Sequence, residues 1–398
     1  MMIVVVIDSM ERCYFFLRLV ENLRSDHQFY FLTTEPLAHA LAVLSNIPSV
    51  FVRRKALRLE NSPLRAEDGY WKNAIEVLNG HISPLQARRD AAAIEAAMAK
   101  IIRSINVARC LIWNGQQLLG RAVTEACNRH GVETIFLEIS NLPSKLFVDR
   151  EGVNALSSIA SLPHRLDALP LPSMDAHEAW FRRYEQSKKA PLPQSRFRLS
   201  RKLISAINLL IKIVGRGAVL NTSNVLKLSN AVPKIHGSKC YSGDELAKRI
   251  YVFLPLQVSA DTQLKLHSDV TNIEAIRQAV GYAEKIGAEL FVKVHPAETD
   301  RGELRQICDL SSKLNFDIVS SATLDLVRNA HSVVTINSTV GLEALMYNKK
   351  VITLGRSFYR DFDGDRLKKY IHHFLVDGID YFGSGAVSAD AAKALLNR

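Results

Sequence analysis

Asn337, Ser338 and Thr339 stand between the apolar run VVTI and the helical-looking stretch VGLEALM, which contains Gly341. Three hydrogen-bonding side chains on one strand-to-helix turn admit two chemistries. Ser338 and Thr339 can cap the helix by accepting its first free N–H groups. The same turn can instead present backbone N–H groups and the positive end of a helix dipole to an anion. Other apolar runs also end on polar groups. FVKV runs into His295-Pro296, VFLPL into Gln257 and then Asp261, LIW into Asn114-Gly115, and TIFL into Glu138. Ligands of open α/β sheets bind beyond the carboxyl ends of strands. Five polar strand ends therefore move the 337–339 turn from cap toward anion site, in a cleft between two domains.

The elements that must position these groups alternate. Strands IVVVID, HQFYFLT, PSVFVRR, CLIWNG and ETIFLEI are separated by helical stretches, one of them running from about Pro84 to Ile105. Gly131 sits where a helix C′ glycine belongs. The alternation dissolves between Asp167 and Ser242, where Pro170, Pro172, Pro191 and Pro193 interrupt it. It resumes with IYVFLPL, AELFVKVHP, FDIVS, SVVTIN and KVITLG, each followed or preceded by a helix. This pattern predicts an α/β chain of two Rossmann-like, doubly wound domains facing across a cleft. The expected division is an N-terminal domain over 1–165, a basic connecting region over 166–245 and a C-terminal domain over 246–398.

Composition narrows the function. At 398 residues the chain exceeds one ordinary core. No apolar run reaches the roughly 18 residues that span a bilayer, and MMIVVVIDSM reads as a buried strand instead of a signal peptide. Five scattered cysteines without a CxxC pair indicate neither a disulfide framework nor a zinc site and fit a reducing cytoplasm. The net charge of +11 implies an anionic partner. Between Arg182 and Lys239 basic residues recur and Glu185 is the only acid. No nucleic-acid recognition signature accompanies them. The segment RKLISAINLLIKIVGR, with Arg201, Lys202, Lys212 and Arg216, reads either as a helix on an anionic membrane surface or as a solvated linker helix. A GxGxxG or GxxxxGK[ST] loop is missing, which removes support for dehydrogenase and P-loop readings. His372-His373 point apart on a helix, and Asp363-x-Asp365 reads as a solvated turn, so no metal site is expected.

The ordered blocks WNGQQLLGRA, FLEISNLPSKLFVDREGVN, FLPLQVSADTQ, KVHP and INSTVGLEALMYNKKVITLG resemble those of the capsule polysaccharide biosynthesis proteins, the Kps-type Kdo transferases, especially the KpsS-like branch. The resemblance covers the chain apart from its basic middle. It implies a GT-B-like glycosyltransferase, an N-terminal acceptor domain and a C-terminal nucleotide-sugar domain. The implied activity is retaining β-Kdo transfer from CMP-Kdo to a lipid acceptor, on the cytoplasmic face of the inner membrane, alongside other capsule assembly proteins. By this resemblance Asp261 is the nucleophile and Glu138 the acid/base group. Lys293, His295, Pro296, Asn337, Ser338, Thr339, Gly341 and Glu343 form the CMP site, and Asn114, Gly115 and Gln257 meet sugar or acceptor. The residues allow plainer roles. Asp261 can merely cap a helix, Glu138 can pair with Arg121 or Lys145, Glu343 can complement a helix dipole, and Gln257 and Asn114 can satisfy strand-end backbone. The monophosphate leaving group makes no cofactor or metal obligatory. At Ile139-Ser140 the chain lacks the glycine-containing turn expected after Glu138.

Overall fold

β-Branched and aromatic runs bounded by polar turns fold into the expected strands. The computed structural model describes residues 1–54, 69–140, 142–189, 199–220 and 237–398. They divide into two compact units, Met1–Ser158 with Ser173–Leu228 and His372–Arg398, and Ile159–Pro172 with Ser229–Ile371.

In the first unit β1 (Met2–Ile7), β2 (Gln28–Thr33), β3 (Ser49–Phe51), β4 (Val107–Trp113) and β5 (Glu133–Ile139) are mutually parallel. β6 (Lys145–Asp149) turns back antiparallel to β5. Ile3, Val4, Val5 and Ile7 are fully buried, because a parallel strand between helical layers has no solvent face. The helix Pro84–Ser104 starts on Ser83, whose hydroxyl accepts from the Gln86 N–H at 3.2 Å, with Pro84 in the first turn. Gly131 ends the helix Leu118–His130 in the left-handed region, at φ 66°.

The second unit holds a parallel sheet of β7 (Tyr251–Pro255), β8 (Glu289–Lys293), β9 (Asp317–Ile318), β10 (Ser332–Thr335) and β11 (Lys350–Thr353), in the order β11-β10-β7-β8-β9. Both sheets are doubly wound. The second grows one way from β7 through β8 and β9 and the other way through β10 and β11, so its switch point lies between β7 and β10. The first reverses between β1 and β4.

The units are not the consecutive blocks 1–165, 166–245 and 246–398. The chain's last segment rejoins the first unit, where β12 (Val376–Asp377) pairs with β6. Leu395 and Leu396 are buried in the same core cluster as Ile3 and Phe16, and Tyr381 packs at a tilt against Trp113 with ring centroids 4.6 Å apart. β12 spans two residues and carried no strand signal of its own. The expected connecting region also folds into the first unit, through the helices Met174–Lys189 and Leu199–Val214. Trp180 and Tyr184 are buried on the former.

The latter corrects one basic residue. Lys212 does not face an anionic surface. It is buried and its Nζ meets Glu35 Oε1 at 2.6 Å, while Asn208 donates to the other oxygen of Glu35 and accepts from the Leu37 N–H at 3.1 Å. On this helix Leu203, Ile207, Leu210, Ile211 and Val214 are exposed. Their spacing is helical, so one face is tied to Glu35 while these large apolar side chains stay in water. The side chains of Arg201 and Lys202, and residues 190–198 and 221–236, lie outside the described residues. No helix among the described residues is long and apolar enough to cross a membrane. Removing one partner of a buried ion pair strands the other charge. Lys212→Met is therefore expected to lower stability by about 3–5 kcal/mol, measured by urea unfolding of the full chain.

Candidate functional site

The second unit brings most of the predicted residues to one edge of its sheet. β10, β7 and β8 are neighbours, and beyond their carboxyl ends come Asn337-Ser338-Thr339, Gln257 with Asp261, and His295-Pro296 respectively.

Gln257 and Asn337 occupy the switch point, and both are buried. Gln257 Nε2 donates to Asn337 Oδ1 at 2.9 Å, and the Asn337 N–H returns a bond to Gln257 Oε1 at 3.2 Å. Asn337 Nδ2 donates to the Gln263 and His267 carbonyls. Asn272 closes the backbone of Gln257 from the other side. These two amides are engaged with each other and with strand-end backbone. They clasp the loops from which the remaining groups emerge.

Ser338 is the N-cap of the helix Thr339–Met346. Its hydroxyl accepts from the Val340 N–H at 3.3 Å. The capping chemistry is realised, and Thr339 takes the first helical position. Gly341 is explained by packing. A Cβ there would lie 2.5 Å from the Tyr359 hydroxyl and 2.9 Å from Thr335 Cγ2. Tyr359 runs beneath the helix and donates to the Ser338 carbonyl, and burial raises its phenol's pKa. The absence of a side chain at Gly341 therefore makes room for a buried ring. Glu343 is buried one turn further along. Lys293 is also committed elsewhere. Its ammonium donates to the Ser321 carbonyl at 2.6 Å and to Thr323 Oγ1 at 3.0 Å, tying β8 to the loop after β9.

Asp261 caps the short helix Thr262–His267 by accepting from the Gln263 N–H at 2.8 Å through Oδ1. Its Oδ2 takes no hydrogen bond among the described residues. Burial raises its pKa, against the Gln263 bond and the nearby His295. His295 Nδ1 accepts from the Ala297 N–H at 3.1 Å, which places the proton of the neutral ring on Nε2, a donor with no partner among the described residues. Burial lowers its pKa, while Asp261 and Glu298 oppose that shift. Pro296 is exposed beside it.

Glu298 was missed in the sequence because PAETD reads as a solvated loop. Glu298 is 3% exposed, and its carboxylate is ringed by backbone donors. Oε2 accepts from the Ser259 N–H at 2.6 Å, and Oε1 accepts from Thr299 and Asp300, both at 2.7 Å. The Ser259 bond ties the loop carrying Asp261 to the loop carrying His295. No sequence pattern announces such a strut, since its partners are main-chain groups.

In the first unit Asn114 and Gly115 make the turn after β4, with φ values of 57° and 79°. A side chain at Gly115 would also meet the Phe136 ring at 2.8 Å. Asn114 donates to Glu138 Oε2, and the Ile139 N–H donates to Oε1 at 2.9 Å. The suggested pairings of Glu138 are replaced: Lys145 binds Asp377 at 3.3 Å and Arg121 binds Gln116. Where a glycine turn was expected, the Ser140 hydroxyl donates to the Lys145 carbonyl at 2.7 Å and accepts from the Leu142 N–H at 3.2 Å, supporting the return into β6. Asp363 proves to be a helix N-cap, accepting from the Arg366 N–H at 2.8 Å.

A family profile described as capsule polysaccharide biosynthesis protein matches residues 109–366, more than half of the chain. Among curated proteins the chain is similar to FixF of Sinorhizobium fredii, 42% identical over 118 residues that make up 27% of either chain. It is similar to the capsule polysaccharide export protein KpsS of Escherichia coli, 33% identical over 33% of this chain and 36% of KpsS. The matched part is thus well under two thirds of these relatives. Among solved structures it is similar to the beta Kdo 2,7 transferase of KpsC from Thermosulfurimonas dismutans. That match has 15% identity, 100% and 99% coverage of the two chains and a TM-score of 0.42.

Glu298→Gln replaces one acceptor oxygen by a donor facing backbone N–H groups. Each lost charge-assisted bond is worth roughly 1.5–3 kcal/mol. Amide exchange at Ser259, Thr299 and Asp300 is expected to accelerate at least tenfold in this variant, measured by NMR, with the amides of β7 unchanged.

Proposed function

The chain belongs to the capsule polysaccharide biosynthesis protein family, and from that premise we propose that it is a glycosyltransferase moving Kdo from CMP-Kdo to a lipid or Kdo-lipid acceptor with retention. The observation that carries this reading is the edge formed by β10, β7 and β8. There a helix N-terminus at Ser338-Thr339, a carboxylate with an uncommitted oxygen at Asp261 and a neutral N–H donor at His295 follow three adjacent strands.

On this reading the helix N-terminus and His295 Nε2–H bind the CMP phosphate, and Glu343 accepts from ribose. Asp261 Oδ2 attacks the anomeric carbon of Kdo. The bond from that carbon to the phosphate oxygen breaks, and CMP leaves with the electron pair. The acceptor hydroxyl then attacks the same carbon, Glu138 takes its proton, and the Asp261 carboxylate is restored. Two inversions give net retention. The amide clasp and the Glu298 strut hold the nucleophile's loop, so the reacting oxygen does not have to be ordered during the reaction.

The exposed apolar stripe Leu203, Ile207, Leu210, Ile211 and Val214 supports placement of the enzyme on an anionic membrane surface, at the cytoplasmic face where a lipid acceptor resides. In this role the apolar face enters the headgroup region, and the basic excess of the chain, at a net charge of +11, adds attraction. Paired Leu203→Gln and Leu210→Gln substitutions are expected to release the protein from anionic vesicles in co-sedimentation. Equal sedimentation of wild type and variant would leave the stripe without a membrane role.

The transfer itself is tested by incubation with CMP-Kdo, or with CMP-sialic acid, and a panel of lipid and Kdo-lipid acceptors, with products read by mass spectrometry. Asp261→Asn is expected to lose turnover by roughly a thousandfold or more while CMP affinity by calorimetry stays close to wild type. Turnover with CMP-sialic acid alone would reassign the donor. CMP binding without any turnover would point to a non-catalytic module that assists export.

A further inference from the structure

The turn after β4 is held by a buried carboxylate that takes part in no step of the transfer. The helix Leu118–His130 follows that turn, and its N-cap residue Gln117 makes no side-chain capping bond. The cap comes from 42 residues upstream, where Glu76 Oε2 accepts from the Leu118 N–H at 3.0 Å. The residue before it holds the same turn by the opposite polarity, since the Ile75 N–H donates to the Gln116 carbonyl at 3.2 Å. Arg121, one turn into the helix, donates to that carbonyl at 3.3 Å and to Gln116 Oε1 at 2.5 Å. The turn is therefore clamped at Gln116 and at Leu118. At its head Asn114 donates to Glu138.

A neutral side chain could make the same bond more cheaply. Glu76 is 8% exposed, and a buried carboxylate is costly unless it is paired. Charged groups face it from three elements: Asp8 directly after β1, Arg121 on the capped helix and Lys212 on the helix Leu199–Val214. Neither cation forms an ion pair with it among the described residues. Arg121 is turned to Gln116, and Lys212 to Glu35. Burial pushes the Glu76 carboxyl up to about 7, against its own N–H and that of Leu118, with Asp8 adding to the rise and Lys212 opposing it. What ionisation adds is negative charge at the positive end of a helix dipole. It also stiffens the cap, because charge-assisted bonds are roughly twice as strong as neutral ones.

We propose that Glu76 is a positioning residue for the transfer step: by capping Leu118 it fixes the turn 114–117, and with it the direction from which Asn114 holds Glu138. The role of Glu138 rests on the transferase reading, while the clamp can be observed without turnover. The ionised cap holds the turn more firmly than the protonated one, so the aim of Glu138 follows the protonation of a group outside the reacting atoms. The fold binds the Glu76 proton more tightly than the unfolded chain does. Stability from this group is therefore lost as pH rises from the ordinary value of 4.5 to about 7, the same range over which the cap tightens.

The test uses the full chain and Glu76→Gln, which keeps the shape of the cap and removes its titration. In wild type the Leu118 amide proton and the Asn114 side-chain amide are expected to shift together by NMR, with a midpoint near pH 7. In the variant both stay flat over that range. With CMP-Kdo and a Kdo-lipid acceptor, wild-type kcat is expected to rise through the same midpoint. Glu76→Gln loses that rise. Its kcat lies roughly tenfold below wild type at about pH 8 and matches it at about pH 6, with the KM for CMP-Kdo unchanged. Urea unfolding at about pH 8 is expected to find the variant no less stable than wild type, an outcome that a carboxylate kept only for stability does not give. Resonances that stay flat in wild type, or a folded variant whose kcat keeps the wild-type pH profile, overturn the proposal. The wild-type titration decides alone if the variant does not fold. Shifts of both groups in a protein that consumes no CMP-Kdo uphold the clamp and overturn the transferase reading instead.

Discussion

Gln257 and Asn337 hold each other through paired amide bonds across the point where the second sheet reverses its direction of growth. Everything at that edge depends on this contact. An amide has both donor and acceptor, so two of them can satisfy one another in the interior without any charge. The pair pins the turn after β10 to the loop after β7, and through the Gln263 and His267 carbonyls it also pins the helix that Asp261 caps. Asp261, His295 and Ser338 therefore leave the sheet from fixed places. Glu298 completes the frame by collecting three backbone N–H groups on one buried carboxylate.

The two switch points use the same topology and differ in how completely they are satisfied. At β7 and β10 the polar atoms are spent on each other. At β1 and β4 Asp8 and Asn114 each retain a buried oxygen with no partner among the described residues. A satisfied interior network rigidifies, while an incomplete one stores an unmet demand for a donor. The difference is one of completeness: the clasp at β7 and β10 closes on itself, and the cluster at β1 and β4 leaves two buried acceptors over.

Much of this was legible in the sequence. β-Branched runs ending on polar residues located the strand ends, and Ser338, Asp261 and His295 all lie where those runs stop. Their local chemistry was legible too, since capping depends on residues two or three positions away. The roles of Gln257, Lys293 and Gly341 were not. Each is decided by a partner brought close only by the fold: Asn337, the Ser321 carbonyl and the Tyr359 ring. A polar side chain at a strand end looks the same in sequence whether it faces a ligand or a neighbouring strand. Glu298 was hidden for a related reason, because main-chain donors leave no pattern. β12 escaped because two residues carry no period, and the edge of β6 alone makes them a strand.

The return of the last segment to the first unit has a consequence for synthesis on the ribosome. Val376, Tyr381, Leu395 and Leu396 belong to the same core as Ile3 and Phe16. Translation therefore delivers the opening strands of that core long before the residues that finish it. The residues of the second unit all emerge in the interval, and can fold as they leave the exit tunnel. Until the final helix, Ala389–Leu396, is made, the nascent first sheet carries an uncovered apolar face and an unpaired edge at β6, a state that invites chaperone capture.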